Sequence, residues 1–157
     1  MTHNDILRRF RYALDISNTT MLEIFRLSQY EIDTATLLNL LKKDVEPGFL
    51  ECSANVLGHF LDGLIALKRG PRETTEQTAP ELTNNEILKK IRIALELKEE
   101  DLLAIMKCAN VAISKSELSA LFRGKGQKNY KVCGDQFLRN FLQGLTIRYR
   151  GSGNREV

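Results

Sequence analysis

The sequence predicts an all-α protein of two tandem homologous helical domains, with about four helices each, packed with pseudo-two-fold symmetry. Three observations support this prediction. The chain repeats itself after a constant shift, its apolar residues recur at intervals of three and four, and no segment shows the alternating pattern of a β-strand. The composition, 43% hydrophobic and 27% charged over 157 residues, is typical of a globular protein and excludes collagen-like and disordered chains.

The internal repeat sets the domain boundaries. Residues 4–70 align without a gap with residues 85–151, and the opening NDILRRFRYAL and closing FLDGL correspond to NEILKKIRIAL and FLQGL. The segment between the copies has two prolines, three glutamates and little to bury, which predicts an extended linker. The predicted units are a first copy (1–70), a linker (71–83), a second copy (84–151) and a flexible tail (152–157).

The spacing of apolar residues predicts four helices in each copy. In the second copy, Glu99, Glu100 and Asp101 suit a helix N-terminus, and Ser114 with Glu117 forms a capping-box pattern. The last helix of each copy runs into basic residues and then a glycine, which is typical of a helix C-terminus. The predicted helices cover about residues 5–14, 19–28, the segment after 33, 56–69, 86–97, 100–108, 114–123 and 137–150.

Gly63 and Gly144 lie at equivalent positions in the middle of the last helices. A mid-helix glycine costs roughly 1 kcal/mol relative to alanine, so its presence in both copies indicates a close helix approach. We expect that approach either between the two copies or inside each copy. The first alternative fits small domains of about 70 residues, which bury a modest core alone and gain by packing together.

These motifs, together with PGFLEC in the first copy and CGDQFLRNFLQGL in the second, resemble the bacterial YehS-like proteins. That family consists of small, internally duplicated proteins of unknown function, and the resemblance covers nearly the whole chain. It implies a duplicated all-helical fold in a bacterial cytoplasm and supplies no catalytic residues. A cytoplasmic location, with no membrane association, is also expected because no stretch approaches the roughly 18 apolar residues of a membrane span and residues 1–11 are polar.

Candidate groups for catalysis or metal binding are few. Histidine is the usual acid–base residue. We expect His3 to lie in a frayed terminus and His59 to have a structural or surface role, the alternative being a functional one. Cys52 and Cys133 occupy equivalent positions, which favours small buried side chains, the alternative being a reactive thiol at a helix N-terminus. No cysteine spacing matches a zinc site or a disulfide framework. We therefore expect no enzymatic activity, no cofactor and no metal.

The charge differs strongly between the copies. Residues 1–70 carry 8 basic and 9 acidic side chains, whereas residues 84–157 carry 14 and 8. Much of the difference falls in one segment with flexible glycines, which could follow a phosphate backbone while Tyr130 stacks on a base. The alternative is a solvated loop in which Tyr130, aligned with Phe49, fills the core. The basic and aromatic residues of this segment are Arg123, Lys125, Lys128, Tyr130 and Lys131.

The second and third helices of the second copy also suggest a helix-turn-helix-like element, although the spacing departs from that motif and its turn lacks glycine. Its exposed face would present Lys115, Ser116, Ser119, Ala120 and Arg123.

The leading hypothesis is therefore a non-enzymatic protein that binds nucleic acid through its basic second copy. The alternative is an adaptor that binds a partner protein in a groove between the copies.

Overall fold

A computed structural model describes residues 1–70 and 82–151, and every regular element in these two ranges is a helix. This confirms the predicted all-α duplication with four helices in each copy. The first copy contains α1 (His3–Leu14), α2 (Asn18–Leu27), α3 (Thr34–Leu40) and α4 (Ala54–Arg69), and the second contains α5 (Asn84–Leu95), α6 (Glu99–Cys108), α7 (Lys115–Leu121) and α8 (Asp135–Arg150).

Local sequence signals place most of the helix ends. The Ser114 hydroxyl accepts a hydrogen bond from the backbone N–H of Glu117, whose carboxylate accepts one from the N–H of Ser114, so the predicted capping box is present. Thr2 and Asp5 form another at the start of α1, so His3 lies inside a capped helix and the expectation of a frayed terminus is wrong.

One predicted boundary is corrected. Helix α7 ends at Leu121 rather than near residue 123, so Arg123 lies beyond it. At the start of the second copy, Thr83 is the N-cap of α5 and Leu82 packs against the core. The rest of the predicted linker and the predicted tail lie outside the described residues.

The first helix of each copy packs extensively against the last helix of the other copy. Helix α1 lies along α8, and α5 lies along α4. The α1–α8 pair is parallel, because the Met1 amine is 3.2 Å from an Asp135 carboxylate oxygen at one end and Arg150 donates to the Tyr12 carbonyl at the other. Exchanging the two copies maps one helix pair onto the other, as pseudo-two-fold symmetry requires.

The mid-helix glycines serve a contact inside each copy. A Cβ atom at Gly63 would lie 1.8 Å from the carbonyl oxygen of Ile24 in α2, and one at Gly144 would lie 2.0 Å from that of Ile105 in α6. Backbone therefore touches backbone within each copy, and the first alternative, a glycine contact between copies, is wrong. The copies do pack together, but through α1 and α5.

The Gly63 contact predicts that Gly63→Ala destabilises the protein by at least about 2 kcal/mol, because the new methyl group overlaps a backbone carbonyl and the two helices must shift apart. Gly58→Ala is the matched control in the same helix, since nothing lies within 4 Å of its added Cβ. This control should be neutral or stabilising by up to about 1 kcal/mol. Urea unfolding measures both, and equal midpoints for the two variants would contradict the packing described here.

Candidate nucleic-acid interface

A buried asparagine holds the basic segment of the second copy. The Asn85 side-chain amide nitrogen donates to the carbonyl oxygens of Leu121 and Lys131 at 3.0 and 2.9 Å, and its oxygen accepts from the N–H of Cys133 at 2.8 Å. These three bonds fix both ends of residues 122–132, which we call the basic loop. Asn85 is 8% exposed, so water does not compete freely for the same groups.

The basic loop is also bonded internally. The N–H of Gln127 donates to the carbonyl of Gly124, and the side-chain oxygen of Gln127 accepts from the N–H of Gly124 at 2.7 Å. The Arg123 guanidinium donates to the carbonyl oxygen of Lys128 at 3.1 Å. Asn129, with a φ of 66°, adopts the left-handed conformation that asparagine tolerates. Hydrogen bonds within the loop therefore hold its backbone in addition to those from Asn85.

The cations of the basic loop point to solvent. Lys125, Lys128 and Lys131 are exposed and Arg123 is half-buried. Within the described part of the chain, none of these four side chains forms an ion pair. Lys131 does act on Glu117: hydrogen bonds from Ser114, together with the weaker Lys131 charge, lower the pKa of the Glu117 carboxyl. The loop thus lies beside the first turn of α7, where the exposed Lys115 is located.

The first copy builds the same loop with different charges. Asn4 bonds to the carbonyls of Leu40 and Leu50 and to the N–H of Cys52, each at 2.9 Å, and so fixes residues 41–51, which we call the acidic loop. Lys42 donates to the Pro47 carbonyl as Arg123 does to that of Lys128. The residues at the positions of Lys125, Gln127, Lys128, Lys131 and Val132 are Asp44, Glu46, Pro47, Leu50 and Glu51.

The connection between α6 and α7 and the length of α7 differ from those of a helix-turn-helix motif. Residues 109–114 connect α6 to α7, a longer connection than the three or four residues usual for that motif, and α7 spans only Lys115–Leu121. Lys115 and Ser119 remain exposed on α7, but Arg123 belongs to the basic loop. Of the predicted site residues, the structure therefore groups Arg123, Lys125, Lys128, Tyr130 and Lys131 on one loop, with Lys115 at its side.

Tyr130 is half-buried and is not part of the core cluster. The alternative in which it fills the core is therefore wrong. Its predicted stacking role remains a prediction.

The remaining candidate groups, one histidine and two cysteines, pack against neighbouring residues of the fold. His59 stacks on Tyr30 with ring centroids 4.7 Å apart, and its Nδ1 lies 3.1 Å from the Ser28 carbonyl oxygen. Burial raises the pKa of Cys52 to about 12, and burial with the Asp135 charge raises that of Cys133 to about 11. The alternative of an acidified, reactive thiol is therefore wrong. No cluster of metal-ligating side chains occurs within residues 1–70 and 82–151.

A surface groove lies between α1 and α8, and therefore between the two copies. Its lining includes Arg9, Tyr12 and Gln143. The sequence predicts a groove between the copies but not the helices that form it. The pairing of α1 with α8 creates this groove, and the apolar spacing of each helix carries no signal for that pairing.

A family of proteins described as "protein of unknown function (DUF1456)" matches residues 3–70 and again residues 84–151. The chain belongs to the DUF1456 family. It is 43% identical over 150 residues to the uncharacterized protein YehS of Escherichia coli, covering 94% of this chain and 96% of that protein. No solved structure matches this member of the DUF1456 family. None of its described helices is long and apolar enough to cross a membrane.

The raised thiol pKa values predict selective cysteine reactivity. At pH 8 the thiols of Cys52 and Cys133 stay protonated, since their pKa values lie well above that pH, and only the thiolate attacks a disulfide reagent. We expect the half-buried Cys108 alone to react rapidly with an aromatic disulfide reagent in the native protein, and all three cysteines to react after denaturation. Cys108→Ser should remove the fast phase. Rapid reaction of all three native thiols would show that the core is not closed as described.

Proposed function

We propose that this protein is a non-enzymatic, cytoplasmic, nucleic-acid-binding protein that uses the basic loop and Lys115. The proposal rests on one observation: the acidic and basic loops share hydrogen bonds to their backbones but differ in charge. The hydrogen bonds that shape the acidic loop recur in the basic loop, although the charged side chains differ. The lysines of the basic loop are therefore dispensable for its fold.

The loop cations also repel one another. Four positive charges within residues 123–131 have no acidic partner among the described residues that forms an ion pair with them. Like charges so close together cost free energy, and a polyanion would remove that cost while releasing its own counterions. A nucleic-acid backbone is a polyanion that can contact several such cations at once.

Each residue has an assigned role in this proposal. Lys125, Lys128 and Lys131 contact phosphates, and Lys115 extends the positive surface from α7. Arg123 holds the loop through Lys128 and presents its remaining N–H groups to phosphate. Tyr130 offers an aromatic surface for one unpaired base, and the exposed Ser119 hydroxyl can donate to a phosphate or sugar oxygen.

The proposal predicts that Lys125→Gln, Lys128→Gln and Lys131→Gln, made together, weaken nucleic-acid binding at least about tenfold at about 50 mM salt. For duplex DNA, the slope of log affinity against log salt should fall by up to roughly 2.7, since three phosphate contacts are lost. Fluorescence anisotropy of labelled duplex DNA, single-stranded DNA and structured RNA at about 50 and about 200 mM salt measures both quantities.

The matched control replaces three exposed lysines outside the basic loop, Lys43, Lys68 and Lys107, by glutamine. The control has the same net charge as the loop variant and should bind within about threefold of wild type. Equal weakening in both variants would show that net charge alone is responsible. Absence of wild-type binding to all three nucleic acids at low salt would contradict the proposal outright.

A further inference from the structure

The groove between α1 and α8 is a surface depression that is open to solvent. Its volume is about 480 Å³, enough for a small molecule that stays partly exposed. The lining spans residues 8–12 of α1 and 142–147 of α8, which is about 6–8 Å along each helix at 1.5 Å per residue. That length suits a compact molecule better than a partner helix. The lining residues are Arg8, Arg9, Tyr12, Leu142, Gln143, Thr146 and Ile147.

The equivalent helix pair, α4 with α5, has an ion pair between the copies that the α1–α8 pair does not have at the same positions. Between α5 and α4, Lys90 and Asp62 form an ion pair across the two copies. At the equivalent positions of α1 and α8 stand Arg9 and Gln143. Both pairs therefore have a cation on the first helix, but the α1–α8 pair has a neutral amide where the α4–α5 pair has a carboxylate. Arg9 is exposed and forms no ion pair within the described ranges.

An aromatic ring stands next to this cation. Ile93, the equivalent of Tyr12, packs against the core, whereas Tyr12 is 58% exposed. The Arg150 guanidinium, which also forms an ion pair with Asp15, lies 4.1 Å from the centre of the Tyr12 ring. Tyr12 itself lines the groove.

The groove thus combines a cation that forms no ion pair across the copies, an exposed aromatic ring and an apolar floor that includes Leu142. The acidic group that Arg9 influences is Asp5 of the same helix. Although burial acts to raise the pKa of the Asp5 carboxyl, hydrogen bonds from Thr2 and the charges of Arg8 and Arg9 together lower it.

We propose that this groove binds a small organic anion whose carboxylate or phosphate group pairs with Arg9 and whose planar ring lies against Tyr12. The guanidinium of Arg9 matches the geometry of either anionic group. Gln143 offers an amide to the same ligand. Arg8, which is paired with Asp5 and donates to the carbonyl of Lys42, also lines the groove. This site is separate from the basic loop and does not depend on nucleic-acid binding.

The test uses 8-anilinonaphthalene-1-sulfonate, a fluorescent aromatic anion, with benzoate and phenyl phosphate as competitors. We expect saturable binding at one site and displacement by one or both competitors, and the stronger competitor identifies the preferred anionic group. Gln143→Asp restores the carboxylate found at Asp62, so it should pair with Arg9 and weaken binding at least about tenfold. Gln143→Asn keeps a neutral amide and should bind within about threefold of wild type.

Arg9→Gln provides a second variant, with Lys89→Gln as the charge-matched control on α5. Lys89 is exposed on α5 and is not among the residues that line the α1–α8 groove. Arg9→Gln should weaken dye binding about tenfold and Lys89→Gln should not. Thermal unfolding confirms that each variant is folded. The proposal is overturned if the dye does not saturate, if neither competitor displaces it, or if Gln143→Asp and Arg9→Gln bind it as wild type does.

Discussion

A buried asparagine near the start of the first helix of each copy is the interaction on which the rest of the structure depends. Asn4 and Asn85 are the buried polar residues of the described chain, and each makes three hydrogen bonds to backbone groups. Leaving a buried polar group unpaired costs about 1–3 kcal/mol, so these bonds strongly favour one arrangement of the end of the third helix, the loop and the start of the fourth. Because the same first helix packs along the last helix of the other copy, the arrangement extends across both copies.

Because the buried asparagine determines the position of each loop, most loop side chains can differ between the copies. The backbone of each loop is held from outside by an asparagine and from inside by a basic side chain on a carbonyl, so the charges at the other positions can change sign without changing the fold. The faces between the copies have diverged in the same way, with Lys90 and Asp62 in one and Arg9 and Gln143 in the other. Both proposed sites therefore lie where the two copies differ and their scaffolds agree.

The sequence predicts the helices well because helix formation here follows from local signals. Apolar spacing marks the buried face of each helix, and the capping box at Ser114 marks a start. The spacing does not identify the helix against which each buried face packs, because it is the same whether α1 packs against α4 or against α8. For this reason the sequence leaves two locations for the Gly63 contact, and it predicts a groove between the copies without identifying α1 and α8 as its walls. The sequence predicts the basic loop because its charge differs from that of the aligned segment in the first copy. It does not predict that Gln143 faces Arg9, because that requires knowing that α8 packs against α1.

Hydrogen–deuterium exchange on Asn85→Ala tests most directly whether the asparagine determines the loop. The account predicts faster exchange of the amides in residues 122–133, which lose their anchor, while residues 41–52, held by Asn4, exchange as in wild type and provide an internal control. Unchanged exchange in the basic loop would contradict the account. Equal acceleration in both loops would also contradict it, because the substitution would then act on the whole protein rather than on one loop.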